Sequence, residues 1–142
     1  MPRFLISNFW FLISKNQIQK VLNSFLGRQL QIPPMFSAKK IAGQKLYHLA
    51  REGKTVERQP NEIEIKKIEL LDYQYPDLKI KVACSSGTYI RTLAHDIGQK
   101  LGCGAYLGEL ERTKIGEYLL DRATNLEELN STNWRDFTFL SS

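Results

Sequence analysis

The run from residue 77 to residue 102 constrains the fold more than any other part of this chain. Apolar residues alternate along DLKIKVACSS (77–86), which predicts a strand with one buried face formed by Leu78, Ile80, Val82 and Cys84. Gly87 interrupts the alternation, and Thr88 can cap a helix. That helix ends at Gly102 and carries an apolar stripe of Ile90, Leu93, Ala94, Ile97 and Leu101. A half-buried strand that leads into an amphipathic helix predicts a domain in which helices pack on a sheet.

Two further stretches carry regular patterns. Ser14 and Gln17 form a capping box, in which each side chain satisfies a free backbone N–H, ahead of an apolar helical stripe that stops at Gly27. The stretch NEIEIKKIELLDY (61–73) alternates with one irregularity. These patterns predict a helix over residues 14–27 and a strand that contains a bulge.

Weaker patterns predict three shorter elements. A short helix is expected near residues 45–51. The stretch 105–120 is typical of a strand or a hairpin with Gly116 at a bend, and Thr124 with Glu127 predicts a capping box that starts a last short helix. Because strands and helices are mixed without a strict βαβ rhythm, the predicted fold class is α+β.

Charge is distributed unevenly along the 142 residues. The first 51 residues contain eight basic residues and no acidic one, and all 15 acidic residues follow from Glu52 onward. A basic segment of this kind favours a polyanionic partner, most simply nucleic acid. A solvated basic face without a partner is the alternative that composition leaves open.

The cysteines and the apolar segments argue against several classes of protein. Cys84 and Cys103 lie in apolar surroundings without a CxxC pair or a histidine cluster, which indicates buried structural thiols rather than a metal or redox site. No apolar run is long enough for a membrane span. The start, MPRFLISNFWFLIS, has the charge and hydropathy of a signal peptide but no small-residue cleavage site. We therefore expect a cytoplasmic location, with an organellar one as the alternative.

The junction between the strand and the helix, CSSGTYIR, is the candidate binding site. A helix N-terminus attracts anions, and Ser86 and Thr88 add hydroxyl groups there. Tyr89 offers a ring on which a base can stack, and Arg91 offers a planar fork for a phosphate or a carboxylate. Spacing alone favours a second interpretation, in which these residues form a capped helix, a core tyrosine and a surface ion pair, because matches to a motif this short are often accidental.

Three stretches of the chain resemble the second half of the catalytic domain of the bacterial tRNA pseudouridine synthase B family. They are FLGRQLQIPPMFSAKKIAGQKLYHLAREGKTVER, CSSGTYIRTLAHDIGQKLGCGAYLGELERTKIG and ATNLEEL. The resemblance is long, collinear and poor in gaps. It implies a mixed, mainly antiparallel sheet with flanking helices. It also divides the chain into an unmatched apolar N-terminus (1–13), a partial catalytic domain (14–129) and a short C-terminal tail (130–142).

The resemblance further implies a reaction and a partner. In this family the N-glycosidic bond of a uridine in the tRNA T arm is broken, the base turns, and it rejoins the sugar through carbon 5. The reaction needs no cofactor and no metal. We therefore expect tRNA as the partner, no association with a membrane, and a monomeric chain.

Candidate site residues follow from the matched positions. Tyr89 corresponds to the family's tyrosine that stacks on the target base and is a candidate for the final proton abstraction. Arg91 corresponds to the arginine that pairs with the catalytic aspartate, and Leu110 to a leucine at the base pocket. Lys40 and Arg112 lie where the family contacts RNA. Ser86 and Thr88, from the junction itself, complete the substrate-binding candidates.

The nucleophilic aspartate of the family lies in a Gly-x-Leu-Asp-Pro type motif, which does not occur among these residues. The first acidic residue, Glu52, belongs to a different matched segment. Asp96 follows Arg91 by five residues on the predicted helix and is expected to point from another face. We therefore expect the chain to lack the segment with the catalytic aspartate and to be inactive on its own.

Two alternatives remain open from the sequence. One is a non-catalytic RNA-binding remnant of the same family that keeps the basic face and the base pocket. The other is a small-ligand phosphate-binding domain, which rests only on the Ser/Gly-rich helix start. Tight binding of tRNA without binding of mononucleotides would exclude the second alternative.

Overall fold

The alternating stretches of the sequence form the centre of a five-stranded antiparallel sheet with the strand order β2-β5-β6-β1-β7. The structure, a computed structural model, describes residues 3–6, 12–35, 40–41, 43–53 and 57–133. The strands of the sheet are β1 (Arg3–Ile6), β2 (Gly27–Gln31), β5 (Asn61–Gln74), β6 (Asp77–Cys84) and β7 (Ala105–Glu109). Two very short strands, β3 (Lys40–Ile41) and β4 (Gln44–Lys45), form a separate antiparallel ribbon.

Three helices accompany the sheet: α1 (Lys15–Asn23), α2 (Leu46–Arg51) and α3 (Ile90–Leu101). The capping box predicted for α1 is confirmed. The Gln17 N–H donates to Ser14 Oγ at 3.2 Å, and the Ser14 N–H donates to Gln17 Oε1 at 2.9 Å. The short helix predicted over residues 45–51 corresponds to α2. With these helices and the antiparallel sheet, the predicted α+β class is confirmed.

The core lies between the sheet and the two longer helices. The apolar stripe predicted for α3 faces it, as do the residues of the predicted stripe that lie on α1, and they are buried together with side chains of β5 and β6. The helix predicted over residues 14–27 ends earlier than expected, at Asn23, and Leu26 of its stripe is 47% exposed. The buried set includes Ile18, Leu22, Phe25, Ile63, Ile65, Ile68, Leu78, Ile80, Leu93, Ala94 and Ile97. On β6 the alternate residues Lys79 and Lys81 are exposed, so this strand has the one buried face that its pattern predicts.

The irregularity in the pattern of β5 is a change of register against β6. The pairing shifts between Ile65 and Lys67, and again between Leu70 and Asp72. The first shift changes which residues face the core, so Ile65 and Ile68 are both buried although they are three residues apart. The predicted bulge is therefore confirmed.

Residues Glu111–Ser142 form a second compact unit, separate from the unit Met1–Leu110 that holds the sheet. Its hairpin, β8 (Lys114–Ile115) and β9 (Tyr118–Leu119), turns at Gly116, whose φ of 56° explains the glycine in the predicted bend. Two 3₁₀ turns follow, Leu120–Arg122 and Leu126–Glu128. The capping box predicted for Thr124 and Glu127 is wrong, because the second turn begins after Asn125 without a side-chain cap.

Candidate functional site

The junction between β6 and α3 brings four of the predicted site residues into one turn. Tyr89 is the residue that precedes the helix, and its backbone is extended, with φ −93° and ψ 107°. The prediction that Thr88 caps α3 is therefore wrong. The Thr88 side chain turns back instead, and its Oγ1 donates to the carbonyl oxygen of Ser85 at 2.8 Å.

The turn before Tyr89 is shaped by its own hydroxyl groups. Ser85 prolongs the pairing with β5: its N–H donates to Glu64 O at 2.9 Å, and its Oγ accepts from the Glu64 N–H at 2.9 Å. Gly87 has a φ of 78°, a conformation that a residue with a Cβ rarely adopts, so the chain can turn sharply into the helix. Ser86 lies exposed at the tip of this turn. The hydroxyls of Ser85 and Thr88 thus hold the turn together, while that of Ser86 faces solvent.

A buried glutamine on β2, two strands away from β6 in the sheet, forms two hydrogen bonds with the backbone of Tyr89. Gln31, the last residue of β2, is only 3% exposed. Its Oε1 accepts from the Tyr89 N–H at 2.8 Å, and its Nε2 donates to the Tyr89 carbonyl oxygen at 3.0 Å. Gln31 is not among the site residues predicted from the sequence. The available clue was a primary amide separated by one residue from two prolines, Pro33 and Pro34, which cannot continue a strand.

The start of α3 is electrostatically positive. Its first turn contains no acidic residue, and Arg91, the second residue of the helix, is exposed there. A cation at this end adds to the partial positive charge of the helix N-terminus instead of offsetting it. Tyr89 and Arg91 therefore present an aromatic ring and a guanidinium group from a positive helix end, which suits a nucleotide or another aromatic anion.

Asp96 is the acidic residue that follows Arg91 on α3. Five residues correspond to a rotation of about 140° around the helix axis, so the two side chains leave the helix from different faces. Asp96 is half-buried, and burial raises the pKa of its carboxyl, with a smaller opposing effect of His95. A carboxyl on another face whose charge is disfavoured is a poor substitute for an ionised partner of Arg91.

The remaining predicted site residues lie in other elements. Lys40 belongs to the β3–β4 ribbon, where the register places it opposite Lys45; its side chain lies outside the described residues. Leu110 directly follows β7 and is 53% exposed. Arg112 is exposed and belongs to the second unit, Glu111–Ser142.

Other classes of site find little support in the described part of the chain. Both cysteines are free thiols; Cys103 is buried as predicted, whereas Cys84 is half-buried. Burial raises the pKa of the Cys103 thiol, which keeps it in the unreactive protonated form. Among the described residues, three or more metal-ligating side chains do not come together, and the helices described there are all too short or too polar to cross a membrane.

Two protein-family models match most of the chain. A model described as TruB family pseudouridylate synthase (N terminal domain) matches residues 5–90. The chain belongs to the TruB family. A second model, the tRNA pseudouridylate synthase B C-terminal domain, matches residues 91–138 of this TruB family chain. The resemblance stated from the sequence is thus confirmed.

Curated TruB family relatives have about half of their aligned residues in common with this chain. It is 49% identical over 125 residues to a tRNA pseudouridine synthase B of Clostridium tetani, an alignment that covers 88% of this chain and 43% of the relative. It is 51% identical over 115 residues to the protein of that name in Protochlamydia amoebophila, covering 81% of this chain and 44% of the relative. The chain therefore spans a little over two-fifths of the length of these relatives.

Solved structures show the same fold. A chain of the crystal structure of a Cbf5–Nop10–Gar1 complex superimposes with a TM-score of 0.68 at 27% identity, over 90% of this chain and 34% of the other. A chain of an H/ACA RNP bound to a substrate RNA containing 2′-deoxyuridine gives a TM-score of 0.64 at 22% identity, over 95% of this chain and 35% of the other, and this likeness concerns the fold alone. The antiparallel sheet with its flanking helices is thus a fold that the TruB family chain has in common with these proteins.

Proposed function

We propose that this chain is part of a tRNA pseudouridine synthase, an isomerase that converts a uridine of the T arm to pseudouridine. The observation that carries the proposal is the pair of Tyr89 and Arg91 at the positive start of α3, in a chain of the TruB family. The relatives named tRNA pseudouridine synthase B support tRNA as the substrate. On this proposal the chain acts in the cytoplasm as a monomer and uses neither a metal nor a cofactor.

The reaction explains why a ring and a guanidinium group are needed together. The target uridine must leave the stacked arm before its glycosidic bond is accessible, which costs a few kcal/mol and requires a stacking surface in return. Tyr89 supplies that surface in our proposal, and Leu110 adds apolar contact at the base. A carboxylate buried against the base needs a cation to remain ionised, and Arg91 is a cation that does not lose its proton.

The RNA backbone is proposed to bind the basic part of the chain. The ribbon β3–β4 carries Lys40 and Lys45 directly opposite each other, and its sequence KIAGQK contains no acidic residue. Like charges opposite each other destabilise a ribbon, and phosphate groups would relieve that repulsion. Arg112 of the second unit, together with Ser86 and Thr88 at the turn, completes the proposed RNA contacts.

Binding of a T-arm hairpin RNA is therefore expected to depend steeply on salt. With about four to six phosphate contacts, the association constant should fall by roughly three to five powers of ten for a tenfold rise in salt concentration. Fluorescence anisotropy of a labelled hairpin, measured over a salt series, gives this slope directly. A slope near zero would exclude an electrostatic RNA surface, and equally tight binding of a mononucleotide would favour a small-ligand site instead.

The base pocket is tested by shortening Tyr89. Tyr89→Ala is expected to weaken the binding of a T-arm hairpin with an unpaired target nucleotide by about 1–3 kcal/mol, the loss of one stacking surface. Tyr89→Phe should bind almost as well as the original chain, because it keeps the ring. Isothermal titration calorimetry with the hairpin and with a plain RNA duplex measures both effects.

Tyr106→Ala is the matched control for this experiment, since Tyr106 is a 55% exposed tyrosine on β7 of the same unit. It should leave both affinities within about 0.5 kcal/mol of the original. If Tyr89→Ala lowered the affinity for hairpin and duplex equally, Tyr89 would be a residue of the core and not of a base pocket.

A further inference from the structure

Among the described residues, Gln31 is unusual because its side chain is polar and only 3% exposed, whereas the other large buried side chains are apolar. A buried primary amide is unfavourable unless its donors and acceptor are bonded. Both ends of this amide are used on a single residue: Oε1 accepts from the Tyr89 N–H at 2.8 Å, and Nε2 donates to the Tyr89 carbonyl oxygen at 3.0 Å. The glutamine therefore recognises the backbone of Tyr89 at two points.

This two-point contact depends on the extended backbone of Tyr89. In an extended residue the N–H and the C=O point to the same side, so one amide can bond to both, as a strand does in a sheet. The Tyr89 carbonyl oxygen also accepts from the Leu93 N–H at 3.1 Å, the first hydrogen bond of α3. The residue before the helix has no side-chain cap of its own. Gln31 thus fixes, from β2, the backbone of the residue that precedes the helix.

Two further contacts hold the segment that carries Gln31. The Thr92 Oγ1 of α3 lies 3.4 Å from the carbonyl oxygen of Ile32, and an Arg58 guanidinium nitrogen donates to the carbonyl oxygen of Pro33 at 3.1 Å. The segment 31–33 is therefore tied both to the start of α3 and to the chain that enters β5. Tyr89 is therefore hydrogen-bonded to a strand end, Gln31, whose following residues are themselves held by hydrogen bonds.

We propose that Gln31 is a positioning residue for Tyr89: it fixes the backbone from which the ring meets a flipped nucleotide, without itself touching the RNA. The proposal rests on the proposed function of Tyr89. The ring lies several ångströms from its Cα, so a rotation of about 10° at the backbone displaces the ring by about 1 Å, and a displacement of this size is enough to lower a rate about a hundredfold.

The test compares two glutamines of the same strand. Gln31→Met keeps the length of the side chain and its packing but removes both hydrogen bonds. Gln29→Met is the matched control, since Gln29 is half-buried on β2 and donates to the carbonyl oxygen of Phe25 at 2.7 Å, away from Tyr89. Both variants lose side-chain to backbone bonds, so a general loss of stability should appear in both.

Two readouts are made on the full 142-residue chain. The first is hydrogen exchange of the Tyr89 backbone N–H by NMR, which is expected to accelerate roughly tenfold or more in Gln31→Met and to change little in Gln29→Met. The second is the fluorescence of a T-arm hairpin that carries 2-aminopurine at the target position. Quenching by Tyr89 should weaken in Gln31→Met, while the salt dependence of hairpin binding stays unchanged.

Unchanged exchange and unchanged quenching in Gln31→Met would overturn the proposal. If Gln31→Met does not fold, Gln31→Leu replaces it, because it too removes both hydrogen bonds and is of similar volume; if neither variant folds, Gln31 is a residue of the fold only and the proposal is overturned as well. If the original chain binds no hairpin, the proposed function fails, and the exchange of the Tyr89 N–H still decides whether Gln31 fixes that backbone.

Discussion

Gly98→Ala is expected to lower the free energy of unfolding by about 3 kcal/mol or more, the upper end for adding an atom to a packed interior. Gly98 is buried in α3, where the chain that leaves the helix folds back onto it. Its carbonyl oxygen accepts from the N–H groups of Cys103 at 3.2 Å and of Gly104 at 3.0 Å. A Cβ on Gly98 would meet the backbone nitrogen of Ala105 and the carbonyl carbon of Gly104, and would lie 2.6 Å from the Ala105 Cβ.

The displaced atoms belong to the backbone that enters β7, so a change of rotamer cannot relieve the collision. Urea denaturation followed by circular dichroism measures the loss of stability. Gln99→Ala is the control, because Gln99 is the next residue of the same helix but exposed, and its replacement should change stability by less than about 0.5 kcal/mol. A Gly98→Ala variant as stable as this control would mean that β7 does not pack closely against α3.

Gly98 also shows where prediction from the sequence reaches its limit. The apolar stripe of α3 follows from residues spaced along the helix itself, so Leu93, Ala94 and Ile97 can be assigned to the core from their spacing alone. A glycine inside a helix gives no comparable pattern. Gly98 must be a glycine because the chain that turns back after Gly102 packs against it. The spacing of residues along the helix does not predict such a contact.

The same distinction applies to the start of α3. The sequence predicted Thr88 as the cap of α3, whereas the residue that precedes the helix is Tyr89. A threonine hydroxyl can bond forward to the helix or back to the turn, and here it bonds back to Ser85. Gln31 is 58 residues away from Tyr89, so their contact depends on the pairing of β2 with β5 and of β5 with β6. A contact between residues this far apart in the sequence can be predicted only when the pairing of the strands is known.

The candidate site residues were predicted mainly from the family resemblance, and less from the chemistry and spacing of the residues. The spacing of the residues by itself predicts only an ordinary capped helix at the junction between β6 and α3. The structure adds the extended backbone of Tyr89, the exposed Arg91 and the positive helix end, and the last two suit an anionic ligand. The roles of these residues in the reaction stay proposals, which a catalytic assay can test.

The second large effect is expected in catalysis. The 142-residue polypeptide, purified alone, should form no pseudouridine in a T-arm RNA, because its sequence contains no Leu-Asp-Pro motif and no acidic residue before Glu52. Attack on the sugar or the base needs a carboxylate placed against the target, and stacking on Tyr89 cannot replace it. Chemical labelling of pseudouridine followed by primer extension gives a direct measurement. Clear turnover by this polypeptide, in preparations freed of host enzyme, would show that its nucleophile lies elsewhere.

Supplying the carboxylate should restore the activity and reveal the role of Arg91. A fusion that adds a Gly-x-Leu-Asp-Pro segment ahead of the chain is expected to form pseudouridine. In that fusion, Arg91→Lys should lower kcat on the order of a hundredfold, because a point charge replaces a planar guanidinium group that can bind a carboxylate at two points. Arg28→Lys is the control: Arg28 is exposed on β2, and its ion pair with Glu62 at 3.7 Å lies at the surface. Equal losses in both variants would assign Arg91 to general RNA binding. A loss confined to Arg91→Lys, with hairpin affinity unchanged, would place its guanidinium group beside the catalytic carboxylate.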